Sequence, residues 1–257
     1  MLPRMLASRA TRILLALSSA LYVVGGGALA GTGPVQGLSI AWQDCRLPVG
    51  GGFSNQASGC GAVTIEFPLF PSFSLTSPID SVYSMEMVID VDVAADSLPA
   101  WWAMQVPPCT GNGWAADGAT SLSCDDAWGG NGTGSFQGWL TRTPGGSKRH
   151  ARLLVASGVL PQDAVALAAA TSYTAGRILL RSVNVASCGD GCLTPACMVF
   201  NSLLIRRLHT PADEEIFITG PEAAGSDRVV WQGGSGANCA AVPTRRATWG
   251  AVKALYR

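Results

Sequence analysis

The chain has 257 residues, of which 48% are hydrophobic and only 13% charged, and its 17 basic residues balance 17 acidic ones. That balance excludes a disordered acidic or basic tail protein, a coiled coil and a nucleic-acid binder driven by charge. What is left is one ordered domain of about 200 residues or two small ones, long enough to bury a sizeable core.

Residues 1–30 read as an export signal. Arg4, Arg9 and Arg12 form a basic head, no acidic residue precedes Asp44, and an apolar run follows from Ile13 to Val24. Gly25, Gly26 and Gly27 then break any helix, and Ala28-Leu29-Ala30 supplies small residues for a peptidase. The apolar run is about a dozen residues, short of the ~20 that cross a bilayer. An uncleaved anchor is the alternative; the expected product is exported, with no stable membrane span after signal removal. From residue 31 onward the chain carries 14 basic and 17 acidic residues, a net charge of about −3. Residues 31–257 read as a single domain, secreted or at the cell exterior, the periplasm included.

All eight cysteines lie in that domain: Cys45, Cys60, Cys109, Cys124, Cys188, Cys192, Cys197 and Cys239. An even count in an exported chain argues for disulfides. Cys45 and Cys60 bracket one turn-rich loop, and Cys109 and Cys124 bracket another with the same spacing. Bridges Cys45–Cys60 and Cys109–Cys124 are therefore expected, each worth about 3 kcal/mol in the chain-entropy model. Cys188, Cys192, Cys197 and Cys239 are expected to form two more, with open connectivity. A zinc site is the alternative, but C-x3-C-x4-C lacks a second short Cys pair and a nearby His.

The clearest periodicity runs from Tyr83 to Val93, where Tyr83, Met85, Met87, Ile89, Val91 and Val93 alternate with Ser84, Glu86, Asp90 and Asp92. Period two over that length predicts a half-buried strand. Val63, Ile65, Phe67 and Leu69 predict another, ending in the breakers Pro68, Pro71 and Ser72. Shorter strands are expected at 38–42, 100–106, 135–140, 151–156, 177–185, 197–205, 215–219 and 228–231, separated by Gly, Pro, Asn, Ser or Asp clusters. The Gly-rich stretches 50–61, 111–118 and 129–134 read as loops within the domain. Helices are expected only at 161–170, where Pro161 suits a first turn, and at 248–256, with Thr248 as cap and Trp249, Val252 and Leu255 at helical spacing. About ten short strands without βαβ alternation predict a mainly β fold. The expectation is an antiparallel β-sandwich, jelly-roll or immunoglobulin-like, with one or two short helices.

The segments AWQDC (41–45), LPAWW (98–102), CGDGCLTPACMVFNS (188–202), WQGG (231–234) and TWGAVKALYR (248–257) span nearly the whole predicted domain. Together they resemble an uncharacterised family of secreted, cysteine-rich bacterial β proteins. The resemblance implies export and a common fold, and nothing catalytic.

Several residues invite a chemical reading. Asp90 and Asp92 project from one face of a strand and are the candidates for a calcium site. A solvated outer face explains the same alternation, and no D-x-D-x-D-G loop is present. Of the eight tryptophans, the loop residues Trp114 and Trp128 are the candidates for a sugar-stacking platform. Trp101 and Trp102, on a strand, must face opposite sides, one of them in the core. Rings that cap the sandwich ends are the plain alternative. Paired carboxylates could serve a glycosidase, but none sits in an evident apolar pocket. For an ester hydrolase there are only His150 and His209, and GGSGAN at 233–238 lacks the nucleophile-elbow form. Two basic groups, Arg142, Lys148, Arg149 and Arg152, and Arg245, Arg246, Lys253 and Arg257, read as surface charge or as contacts to an anionic envelope polymer. Asn131-Gly132-Thr133 is a glycosylation sequon. The resulting expectation is an exported, non-enzymatic structural or adhesive protein without a cofactor. Its partners would be polysaccharide or cell-envelope components and not nucleic acid. The alternatives are a carbohydrate-binding module and a glycoside or ester hydrolase.

Overall fold

The computed structural model describes residues 37–46, 50–60, 65–102, 114–117, 123–141, 148–181, 189–209 and 213–240. The signal segment 1–30, Cys109, Cys188 and the helix expected at 248–256 lie outside them. In chain order the strands are β1 (Gly37–Trp42), β2 (Asn55–Gln56), β3 (Glu66–Ser74), β4 (Ile79–Val93), β5 (Trp114–Asp117), β6 (Asp125–Asp126) and β7 (Thr133–Thr141). They continue with β8 (His150–Gly158), β9 (Val165–Leu167), β10 (Ser172–Thr174), β11 (Arg177–Arg181), β12 (Ala196–Arg207), β13 (Glu214–Thr219) and β14 (Arg228–Trp231). Among the described residues the only helical elements are 3-10 turns at 161–163, 189–193 and 232–234.

The strands form two layers. The smaller sheet runs β5-β11-β3-β10-β6 with β1 also on β3; the larger runs β2-β14-β12-β4-β8-β7, with β13 on β12 and β9 on β4. Pairing is antiparallel except at β6–β10 and β2–β14, so the expected two-layer β-sandwich is present with mixed sheets. The inward residues of β4 are Met85, Met87, Ile89, Val91 and Val93, all buried. They meet Leu153 and Val155 of β8, Met198, Phe200, Leu203 and Ile205 of β12, and Leu38, Ile40, Phe67, Leu69 and Phe73 of the facing sheet in one core. β1 is buried at all six positions because both its edges are paired, one to β3 and the other to the chain after β13. On that second edge the Leu38 amide donates to the Gly220 carbonyl at 3.0 Å and the Ile40 amide to the Ser226 carbonyl at 2.8 Å.

Four local expectations are corrected. β3 does not stop at its prolines. Pro68 lies opposite Gln43, just past the end of β1, and Pro71 lies opposite Ala175, in the gap between β10 and β11. The missing amide costs no ladder bond at such places. Residues 161–170 form one 3-10 turn and then β9, because a short isolated helix is marginal while Leu167, 2% exposed, gains burial beside β4. Tyr83 is half-buried rather than core, since a bulge opposite Arg206 and Arg207 shifts the alternation so that Val82 points inward. Its hydroxyl donates to Asp213 at 2.8 Å; burial first, and that carboxylate second, push the phenol above its ordinary value. Finally, of the strand expected at 100–106, residues 100–102 form a turn in which both Trp101 and Trp102 enter the core, and residues 103–106 lie outside the described ones.

The cysteines pair across the fold, not within loops. Cys45 joins Cys124, Cys60 joins Cys192 and Cys197 joins Cys239, at sequence separations of 79, 132 and 42. The expected Cys45–Cys60 and Cys109–Cys124 bridges are thereby replaced, and Cys192 and Cys197 are bridge sulfurs rather than zinc ligands. Equal spacing along the chain says nothing about proximity once the intervening residues enter different sheets.

Candidate functional site

The densest cluster of charged chemistry lies on the outer face of the larger sheet. The register sets Cys197, Asp92 and His150 abreast on β12, β4 and β8, and one step on it sets Val199, Asp90 and Arg152 abreast. Asn201, two residues beyond Val199, falls on the same face, where its side-chain amide donates to Asp90. The Arg152 guanidinium clasps Asp90 with Nε at 2.7 Å and Nη2 at 3.0 Å. Arg149, just before β8, clasps Asp92 with Nε at 3.1 Å and Nη2 at 2.6 Å. His150 Nε2 meets the same carboxylate, and the Asn238 amide adds a further bond at 2.6 Å.

Asp90 and Asp92 are only 6% and 4% exposed, so the expected solvated face is corrected. The cover is a strap, residues 232–240, that leaves the end of β14 and crosses β12 and β4. Arg149 Nη2 also donates to the Gly236 carbonyl at 2.6 Å, and the Cys197–Cys239 bridge fastens the far end. Only about 10 Å³ remains between strap and cluster, the room of a single water. Beside it Asp92, Arg149, His150, Gly236, Ala237 and Asn238 line an open recess of about 450 Å³. Each carboxylate is already matched by a guanidinium, which is how two buried charges are tolerated. Among the described residues no group of three or more His, Cys, Asp or Glu is arranged to hold a metal ion.

The carboxylates were legible in sequence, but their partners were missed. The signal existed: Asp90 and Asp92 repeat at period two, as do His150 and Arg152, and two such strands side by side bring the charges together. Asn201 follows Cys197 and Val199 at the same period two, but the sequence does not say which strand lies beside β12.

The aromatic candidates divide. Trp128 is 1% exposed, with its Nε1 donating to the Ser157 hydroxyl at 3.2 Å, so it is a core residue and not a platform. Asp126 fixes its turn by accepting the Trp128 amide at 3.0 Å and the Gly130 amide. Trp114 opens β5, opposite Leu180 at the end of the smaller sheet, and its side chain lies outside the described residues. Trp42, Trp101, Trp102 and Trp231 form one buried group with Phe67. Trp101 stacks on Trp231 at 5.6 Å, and Phe67 meets Trp231 edge-on at 5.0 Å. Three of the four indoles donate to loop and strand carbonyls: Trp42 to Val230 at 3.1 Å, Trp102 to Gly191 at 2.9 Å and Trp231 to Cys192 at 2.6 Å. The short AWQDC, LPAWW and WQGG segments are thus core parts that tie loops to the sandwich.

A second polar knot surrounds Asp44, 7% exposed. It accepts the Ser123 hydroxyl at 2.6 Å, the Ser123 amide at 3.1 Å, the Cys45 amide at 2.7 Å and the Gly51 amide at 3.5 Å. Burial pushes this carboxyl up, but the Ser123 hydroxyl and the backbone amides together outweigh it and hold the group below its ordinary value. The knot sits beside the Cys45–Cys124 bridge and aligns both of its half-cystines. No family model matches the chain, and no curated protein or solved structure matches it either.

Proposed function

We propose that this protein is an exported, non-enzymatic structural or adhesive β-sandwich acting at the cell exterior on polysaccharide or cell-envelope components, with residues 1–30 as its signal peptide. One observation carries the reading: three disulfides join segments 42 to 132 residues apart across the sandwich. Such links persist where nothing keeps thiols reduced. Among the described residues no helix is long and apolar enough to cross a membrane. The buried tryptophans and guanidinium-paired carboxylates support a mechanical role, since each is engaged in holding the fold.

Cell fractionation with a glycan array tests the proposal. Recovery in the envelope or medium with a blank array supports it. Saturable sugar binding lost in Trp114→Ala replaces it with the carbohydrate-binding module. Turnover of a polysaccharide or ester that one carboxylate substitution abolishes refutes the non-enzymatic reading.

A further inference from the structure

We propose that the Cys197–Cys239 bridge is a redox-sensitive latch, whose opening frees the strap 232–240 and uncovers the Asp92–Arg149–His150 cluster while the sandwich stays folded. Among the six half-cystines placed in bridges, Cys45, Cys60, Cys124, Cys192 and Cys197 are all buried, whereas Cys239 is half-exposed. A thiolate must reach a sulfur to exchange with it, so among the described bridges this is the one open to attack.

The strap is built to leave. Gly233, Gly234 and Gly236 have φ of 76°, 64° and 82°, a path that other side chains resist. Ser235, Gly236, Asn238 and Ala240 are exposed. The bonds that hold the strap to the body are polar: Gln232 to Ser58 and Cys192 at its start beside β14, then Gly233 to Asn55, Gly236 to Arg149 and Asn238 to Asp92. A segment with little apolar burial and water-exposed bonds opens at low free energy once its covalent tie is cut. Asp92 and Arg149 each lose one strap bond on release but keep each other, so the exposed cluster stays intact.

The reaction needs a dithiol. One of its thiolates attacks Cys239 Sγ, the S–S bond breaks and Cys197 leaves as the thiol. The second thiol of the reagent then displaces Cys239 and closes the reagent's own disulfide. Two electrons and two protons pass from the dithiol to the bridge.

The two histidines of the chain provide the test, because His150 lies beneath the strap with its side chain 18% exposed, whereas His209 is exposed. The full chain is titrated with dithiothreitol. Bridge status is read by peptide mapping, imidazole accessibility by diethylpyrocarbonate modification, and the core by the near-ultraviolet dichroism of the tryptophans. The expected result is that Cys197–Cys239 opens first and His150 modification accelerates roughly tenfold toward the rate of His209, with the dichroism unchanged. The double variant Cys197→Ala/Cys239→Ala should show the fast His150 rate without any reductant. The latch is refuted if His150 stays slow once the bridge is open. It is equally refuted if this bridge opens only together with Cys45–Cys124 and Cys60–Cys192 and the dichroism is lost, or if the double variant does not fold.

Discussion

Asp44 shows how one short motif is used. Its carboxylate carries four bonds from Cys45, Gly51 and Ser123, and its folded value lies below the ordinary 3.8. A group lowered in this way stabilises the fold fully above its unfolded value, and the contribution disappears as pH falls through the folded one. Asp44→Asn should therefore cost about 2 kcal/mol near neutrality, the range for hydrogen bonds to a charged group. The gap between variant and parent in urea melts should narrow steadily below about pH 4; a gap that widens in acid would contradict the assignment. Trp128 makes a second case. A Cβ on Gly132 would fall 2.3 Å from Trp128 Cδ1, a separation real side chains do not adopt. Gly132→Ala should then destabilise by about 1–3 kcal/mol, as overpacking does, and Trp128→Ala by about 3–5 kcal/mol. Chemical denaturation checks both. That a tryptophan in a Gly-rich stretch enters the core was not legible, because the sequence shows the turn residues but not what the turn folds over.

β4 and β8 show what alternation reveals and what it hides. The inward set Met85 to Val93 was readable because period two separates the faces of any strand. By the same rule Asp90 and Asp92 should face water, but a later segment, fastened by Cys239, returns to cover them. Covering depends on contacts remote in sequence, which a local window cannot hold. The same reason defeats the helix expected at 161–170: its alanines favour a helix, yet pairing with Ile79 and Val82 of β4 decides the outcome. For the buried pair, Asp90→Ala should cost about 3–5 kcal/mol, since it strands the Arg152 guanidinium, 13% exposed, without its carboxylate. Replacing both Asp90 and Arg152 with leucine should cost less than Asp90→Ala alone, as apolar groups of similar volume need no partner. A double-mutant cycle in guanidinium chloride gives the comparison, and a larger loss in the double variant would count against the pairing.

For the molecule as a whole, composition and cysteine count were enough to point to a stapled β-sandwich, but the pairing of the cysteines was not readable. Which sulfurs meet follows from how the two sheets stack, and residues 132 apart can be neighbours while residues 15 apart are not. Closing loops of 42 to 132 residues raises the expected worth of each bridge to about 4–5 kcal/mol in the chain-entropy model. The two bridges with buried sulfurs also flank the Asp44 knot and the tryptophan group, so they bind the loops to the core where packing is densest. The most direct test of this account is the thermal melt, followed by near-ultraviolet dichroism, before and after complete reduction of the disulfides. A loss of several kcal/mol in a domain of this size should lower the melting temperature by at least about 10 °C. An unchanged melting temperature after full reduction would contradict it.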